Sequence, residues 1–366
     1  MAFTNFREME EAASRPVDFV KKVGKGRTLS ADLTAAESRI AFNLLLNGAF
    51  HPAQAGAFLQ ALRIKELTQE ELDGLADVFR SRLAIQPPLM GSRTLVLNLA
   101  SDTQRKGGLA SLLAAHLLRR FGVGVGVVRS APVLQRNRAS FEDTWELAKL
   151  LDPAGSLFPA AGQDGSIAPA PVLTDCAGLI SGLADLDDLR SHLGFRSCLH
   201  TAEKLVNPWP ATPMLLGISH KHYALRLAAT LATQGLCGKI LLGNHGTIDM
   251  VLHKETELVS VGAAANAGAA TAAVPDSVVR EEKVSPADLG LELSPDVYSL
   301  GKFPQWREWL LAMAGPTAAE APEARDNGLR RAVQYHLAVL LWAAGVAESP
   351  KAGLAAARSA IPTLFV

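Results

Sequence analysis

Arg190, His192, Arg196, His200 and Lys204 sit in one short stretch, RSHLGFRSCLHTAEKLVNP, that ends at Asn207-Pro208. If Phe195 to Leu205 is helical, Arg196, His200 and Lys204 recur at i, i+4 and i+8. At about 100° per residue they drift by only about 80° and form one basic stripe. Leu199, Ala202 and Leu205 take much of the remaining face, which suits a seam against another helix, and Asn-Pro stops the run. Such a stripe suits phosphate contacts: Arg190, Arg196 and Lys204 would hold phosphates, and His192 and His200 would add charge when protonated. Trp209 is the one nearby ring that could stack on a base.

Two strand-end loops offer further cations. TLVLNLA (94–100) leads through Asp102, Arg105, Lys106, Gly107 and Gly108 into a helix, an arrangement able to hold an anion on free N–H groups. The spacing is neither a P-loop nor GxGxxG, and an ordinary strand–helix turn explains it as well. VGVGVVR (123–129) ends on Arg129 and is followed by Arg136 and Arg138, on what would be the same sheet edge. Ligands of open α/β sheets gather there, while solvated loop charges are the plain alternative. His220 and His222 at i, i+2 do not share a helix face, and Asp249 alone is thin support for a metal, so no metal site is expected. No catalytic triad can be argued from the spacing, and Cys198 reads as packed and inert.

The elements that would position these residues fall into two groups. Residues 1–85 read as a helical bundle: Thr34-x-x-Glu37 and Thr68-x-x-Glu71 are capping boxes, and Pro52–Leu62 makes a helix between the two they open. Lys21-Lys22-Val-Gly-Lys25-Gly-Arg27 reads as a small basic loop ahead of the bundle. Gln86-Pro87-Pro88 is a hinge candidate. Thereafter strand and helix alternate: helix 107–121, strand 123–129, helix 140–151, strand 214–219, helix 220–234 and strand 239–243. An Ala/Gly-rich span at 263–273 and helices at 304–313, 327–344 and 352–361 complete the chain. The pattern predicts an α/β fold with a small all-helical lobe hinged to a large lobe built on a mostly parallel sheet.

With 366 residues the chain can bury a large core, and its 36 Lys+Arg balance 36 Asp+Glu. Zero net charge excludes a whole-surface polyanion binder, so a nucleic-acid role must rest on local segregation of charge. Cys176, Cys198 and Cys237 lack Cys-x-x-Cys spacing and an even count, against a disulfide framework or structural zinc. The start has no signal design and no apolar run reaches membrane-spanning length, so a cytoplasmic protein without membrane contact is expected.

LLLNGAFHPAQAGAFLQALRIKELTQEEL, LRSHLGFRSCLHTAEKLVNPW, VSPADLGLE and AVQYHLAVLLWAAGVAESPKAGLAAARSAI together resemble glycosyltransferase family 3, which holds the anthranilate phosphoribosyltransferases (TrpD) and pyrimidine nucleoside phosphorylases. The resemblance covers nearly the whole chain. It implies a helical lobe of residues 1–85 with a helical return near 185–208, an α/β lobe of 89–184 and 209–366, a hinge near 86–88, and a homodimer through the helical lobe. VKKVGKGRTLSADLT, ALRIKELT and GFRSCLHTAEKLVNP are most similar to the divergent TrpD-like, YbiB-type branch, which implies a nucleic-acid-binding protein.

The departures bear on activity. Where the family has GTGGD for phosphoribosyl pyrophosphate, this chain reads Leu99-Ala-Ser-Asp102-Thr-Gln-Arg105-Lys106, and the Asp-Glu pair that holds magnesium reads Asp249-Met250. Arg190 matches the anthranilate-side arginine. The expectation is a protein that binds DNA or RNA without sequence specificity through a basic helix at the interlobe cleft, with no cofactor. The alternative is a family 3 phosphoribosyltransferase or phosphorylase with an altered substrate, using Mg2+ and phosphoribosyl pyrophosphate.

Overall fold

The structure, a computed structural model, describes residues 15–26, 28–100, 108–130, 167–243, 246–262, 279–293 and 323–360. The expected helices at 140–151 and 304–313, the span 263–273, and Asp102, Arg105, Lys106, Gly107, Arg136 and Arg138 lie outside the described residues. Of the residues described, those up to Gln86, Ser130 and Asp175–Pro208 form one compact unit; Pro87–Arg129, residues 167–174 and those from Trp209 onward form the other.

The first unit is helical, and its caps set its elements. Helix α1 (Pro16–Val23) starts on Pro16, whose ring suits the first turn, and carries Lys21 and Lys22 in its last turn. The basic loop expected from Lys21 onward is therefore shorter, because Val20 and Val23 continue the helical period up to Gly24. Helix α2 (Ala35–Leu46) opens on a complete capping box: Thr34 Oγ1 accepts from Glu37 N at 3.2 Å, and Glu37 Oε2 accepts from Thr34 N at 2.8 Å. Helix α3 (Pro52–Lys65) uses His51 in the same way, with Nδ1 accepting from Ala53 N at 3.3 Å. The box of α4 (Gln69–Arg82) does more than cap. Glu71 is fully buried, and besides Thr68 N its carboxylate accepts from Leu33 N at 2.8 Å and Lys65 Nζ at 2.6 Å. Phe42, Phe58, Leu59, Leu62, Leu72 and Leu75 fill the core. At Gly74 a Cβ would come within 2.5 Å of Ala35 O, so only glycine lets α4 approach α2 this closely.

The second unit is a seven-stranded sheet of order β3-β2-β1-β4-β5-β6-β7. β1 (Arg93–Asn98) leads into α5 (Gly108–Leu118) and pairs in parallel with β2 (Val123–Arg129), Leu95 opposite Val125. Both strands are apolar on each face, as parallel strands covered on two sides must be. Val172–Asp175 forms β3 at the edge. β4 (Met214–Gly217) runs parallel to β1, helix α9 (Lys221–Thr233) follows, and β5 (Gly238–Leu241) runs parallel to β4. The sheet is completed by antiparallel β6 (Thr256–Val261) and β7 (Val279–Val284). The long helix α10 (Glu323–Ala343) and α11 (Pro350–Ala360) share one core cluster with α5 and the inner strands.

Three short helices belong to the first unit: α6 (Cys176–Leu179), α7 (Asp187–His192) and α8 (Cys198–Glu203). They supply the residues of the basic segment. Among the described residues no helix is long and apolar enough to cross a membrane.

Candidate functional site

The expected helix from Phe195 to Leu205 is only Cys198–Glu203. Gly194 takes φ +68° and Ser197 is extended at ψ 177°, so the segment turns before the helix begins. Arg196 then precedes the helix and Lys204 follows its last turn, which dissolves the i, i+4, i+8 stripe. Arg196 is exposed, and its carbonyl accepts from the guanidinium of Arg63, which lies over the Phe195 ring at 5.2 Å. His192 is exposed beside Asp188, with Nδ1 at 2.8 Å from the Asp188 carbonyl. Lys204 is half-buried.

Arg190 and His200 face inward, so the expected phosphate and charge roles at these two positions meet a physical obstacle. His200 is buried, and desolvation, followed by the charges of Arg190 and Arg196, pushes its pKa down to about 3. It is a neutral imidazole at physiological pH, and neither ring nitrogen has a hydrogen-bond partner among the described residues. Arg190 is fully buried, and its Nη2 meets Oε1 of the equally buried Glu203 at 2.8 Å, a charge contact in which the N–H is not aimed at the oxygen. Ser130, directly after β2, donates from Oγ to the other oxygen of Glu203 at 2.8 Å. Asp187 approaches Arg190 at 3.4 Å.

Burial raises the pKa of Glu203, while Arg190 and Ser130 pull it down. The Cys176 and Cys198 thiols are raised by burial, Cys198 to about 12, so neither is a thiolate. Among the described residues Ser197 Oγ and Arg190 Nε are buried without hydrogen-bond partners. In the first unit Arg190, Glu203 and Ser130 thus meet in the interior, while Ser197 and His200 are buried at the start of α8. Sequence reading found Arg190 and His200 and missed Glu203 and Ser130. A carboxylate beside Ala202 on the apolar face of the helix is the one signal that could have pointed to Glu203.

In the second unit Gly108 opens α5, and Arg129 closes β2 half-buried. Trp209 is not available to a base: it is 4% exposed, Nε1 donates to Pro87 O at 2.8 Å, and the ring lies where a Cβ on Gly126 would stand 2.3 Å from it. Asp249 is buried, with Oδ1 accepting from Ser111 Oγ at 2.6 Å and Oδ2 from Thr247 Oγ1 at 2.9 Å. The next residue, Met250, is buried, and its N–H donates to His336 Nε2 at 2.9 Å. Ser111, Thr247 and His336 were not singled out in the sequence, because they lie on three separate segments.

These features sit on a recognisable frame. Residues 17–83 match the family described as "Glycosyl transferase family, helical bundle domain". An anthranilate phosphoribosyltransferase of Symbiobacterium thermophilum is 29% identical over 300 residues, covering 77% of this chain and 76% of that protein. An uncharacterized protein of Aquifex aeolicus is 26% identical over 339 residues, covering 91% and 95%. Among solved structures, anthranilate phosphoribosyltransferase (TrpD) from Thermus thermophilus superposes with a TM-score of 0.63 at 22% identity, covering 95% of each chain. Residues 17–83 thus carry the helical bundle domain of a glycosyl transferase family, and the chain is similar to TrpD proteins in sequence and in fold. The Saccharomyces cerevisiae anthranilate phosphoribosyltransferase solved with PRPP and Mg shares the fold, with a TM-score of 0.65 at 14% identity over 96% of this chain and 94% of that one.

In this TrpD-like chain the described donors do not fit a magnesium ion. Mg2+ takes an octahedron of oxygens, commonly one or two free carboxylates with waters and substrate phosphates. Both oxygens of Asp249 are engaged by hydroxyls and its neighbour is an apolar Met250. Among the described residues no three His, Cys, Asp or Glu side chains are grouped as metal ligands.

Proposed function

We propose that the TrpD-like chain is a family 3 transferase, a phosphoribosyltransferase or phosphorylase, whose substrates differ from those of the anthranilate enzymes. The observation that carries this reading is likeness to anthranilate phosphoribosyltransferases along most of the chain, in sequence and in fold. The parallel β1, β4 and β5 deliver their carboxyl ends to one edge, where such sheets place ligands. Chemistry of this class passes through an oxocarbenium-like state and asks little covalent help. Positioning and fixed charge supply the acceleration. The substrates are altered because Asp249-Met250 offers hydroxyl-bound and apolar groups, and because Arg190 is engaged internally. The test is direct: phosphoribosyl pyrophosphate is titrated calorimetrically, and pyrophosphate release and nucleoside phosphorolysis are assayed over a panel of acceptors. Saturable binding with turnover of one acceptor is expected, and absence of both binding and turnover overturns the reading.

A second reading, nucleic-acid binding by a homodimer, rests on Arg196 and His192, which stay on the surface. Half-buried Lys204 and Arg129 would assist. It predicts oligonucleotide affinity that falls steeply with salt and drops in an Arg196→Ala/Lys204→Ala variant. Salt-insensitive or absent binding in an anisotropy titration overturns it, and light scattering reports the dimer.

A further inference from the structure

A cavity of about 320 Å³ opens in the second unit between the start of α9 and the outer strands β6 and β7. The strand register sets its walls. Glu257 stands opposite Lys283 and Val259 opposite Glu281, and residues opposite one another share a face of the sheet. Leu241 turns into the core on the other face, so Leu242 joins this set. Lys221, the first residue of α9, reaches the same face through Glu257 and Glu281. Leu242 and Val259 thus form an aliphatic floor ringed by Lys221, Glu257, Glu281 and Lys283. At this volume the cavity suits a small metabolite.

The charges around the floor alternate in sign. Lys221 Nζ lies 2.5 Å from Glu281 Oε2 and 3.3 Å from Glu257 Oε2, and Lys283 Nζ lies 2.5 Å from Glu255 Oε1. All five side chains are about half-exposed, so these pairs are weak and open to exchange. On the opposite face Glu282 is matched by Lys239 at 3.4 Å. Arg280 is exposed opposite Ser260, Lys254 is exposed ahead of Glu255, and His220 and His222 are exposed on either side of Lys221. Neither sign prevails around this floor. A lone anion would meet the carboxylates, and a lone cation would meet the ammonium groups. A ligand that carries both charges exchanges one set of ion pairs for another and keeps the balance.

We propose that this cavity binds a small aliphatic amino acid as its zwitterion. The ligand's ammonium group lies between Glu257 and Glu281. Lys221, displaced from those two glutamates, pairs with the ligand's carboxylate together with Lys283. The aliphatic side chain covers Leu242 and Val259. The site stands whether or not the chain is a transferase.

The probes share one aliphatic body: L-leucine, isoamylamine, which lacks the carboxylate, and isocaproate, which lacks the amine. Each is titrated calorimetrically into the full-length protein at matched ionic strength. Leucine is expected to bind at least about tenfold tighter than either analogue, and to weaken as salt rises. Glu281→Gln should remove the advantage of leucine over isocaproate, and Lys283→Met its advantage over isoamylamine. Both positions are exposed on β7, so neither substitution disturbs the core. Absence of saturable leucine binding, equal binding of either analogue by the wild type, or variants that leave both ratios unchanged overturns the proposal. Phosphoribosyl pyrophosphate is titrated separately, so failure of the transferase reading shows there and not in these ratios.

Discussion

Arg190 and Glu203 meet at 2.8 Å with no exposed surface on either side chain, although thirteen positions separate them in the chain. A buried pair of this kind contributes little over an apolar pair of the same volume, but removing one partner strands a charge. Arg190→Ala is therefore expected to lower the unfolding free energy by about 3–5 kcal/mol in urea titration. Arg190→Met/Glu203→Leu should recover most of that loss, and a double-mutant cycle reads the coupling. A single-mutant cost below about 1 kcal/mol would mean that the pair is solvated in solution.

His200 makes stability depend on acid. Its folded pKa, about 3, lies below the ordinary 6.5, so the unfolded chain takes up the proton first as pH falls. The stability owed to the neutral ring is fully present above about pH 6.5 and is lost progressively down to about pH 3. The loss is on the order of 5 kcal/mol at most. Thermal unfolding followed from pH 7 to pH 4 should show the decline, and His200→Gln should flatten it. Identical profiles for the two proteins would contradict the burial of the ring.

The cysteines should differ in reactivity. Burial raises the thiol pKa of Cys176 and Cys198, while Cys237 is half-buried and raised less severely. An aromatic disulfide reagent at pH 8 is expected to modify Cys237 first, and the other two only on unfolding. Rapid native-state labelling of Cys198 would refute the packing of α8.

Asp249 is expected to act in structure. Ser111→Ala removes a 2.6 Å hydroxyl donor from a buried carboxylate and should cost about 1–3 kcal/mol in chemical denaturation. Magnesium alone should leave the melting temperature of the wild type unchanged. A magnesium-dependent rise that Asp249→Asn abolishes would restore the metal reading.

Much of the fold was legible in the chain because its signals are local. Thr34-x-x-Glu37 and Thr68-x-x-Glu71 close their hydrogen bonds within four residues, so the pattern alone places α2 and α4. VGVGVVR at 123–129 is apolar on both faces and was read as the strand it forms. The antiparallel strands β6 and β7 were missed: TELVSV and VREEKV mix charge into short runs that become strands by pairing with a neighbour. The short α8 was overextended, since period alone does not reveal the left-handed turn at Gly194.

The sequence by itself determined the two kinds of unit, the helical caps, the parallel strands and the concentration of basic residues between 190 and 204. Only the tertiary structure decided which of those residues meet water. Arg190 is neutralised by Glu203, whose other oxygen accepts from Ser130, both from other turns of the chain, and His200 is discharged by burial. Caps and periods are set by neighbours a few residues away. The charge state and partners of a buried side chain are set by whatever the fold brings against it, and linear spacing carries no record of that.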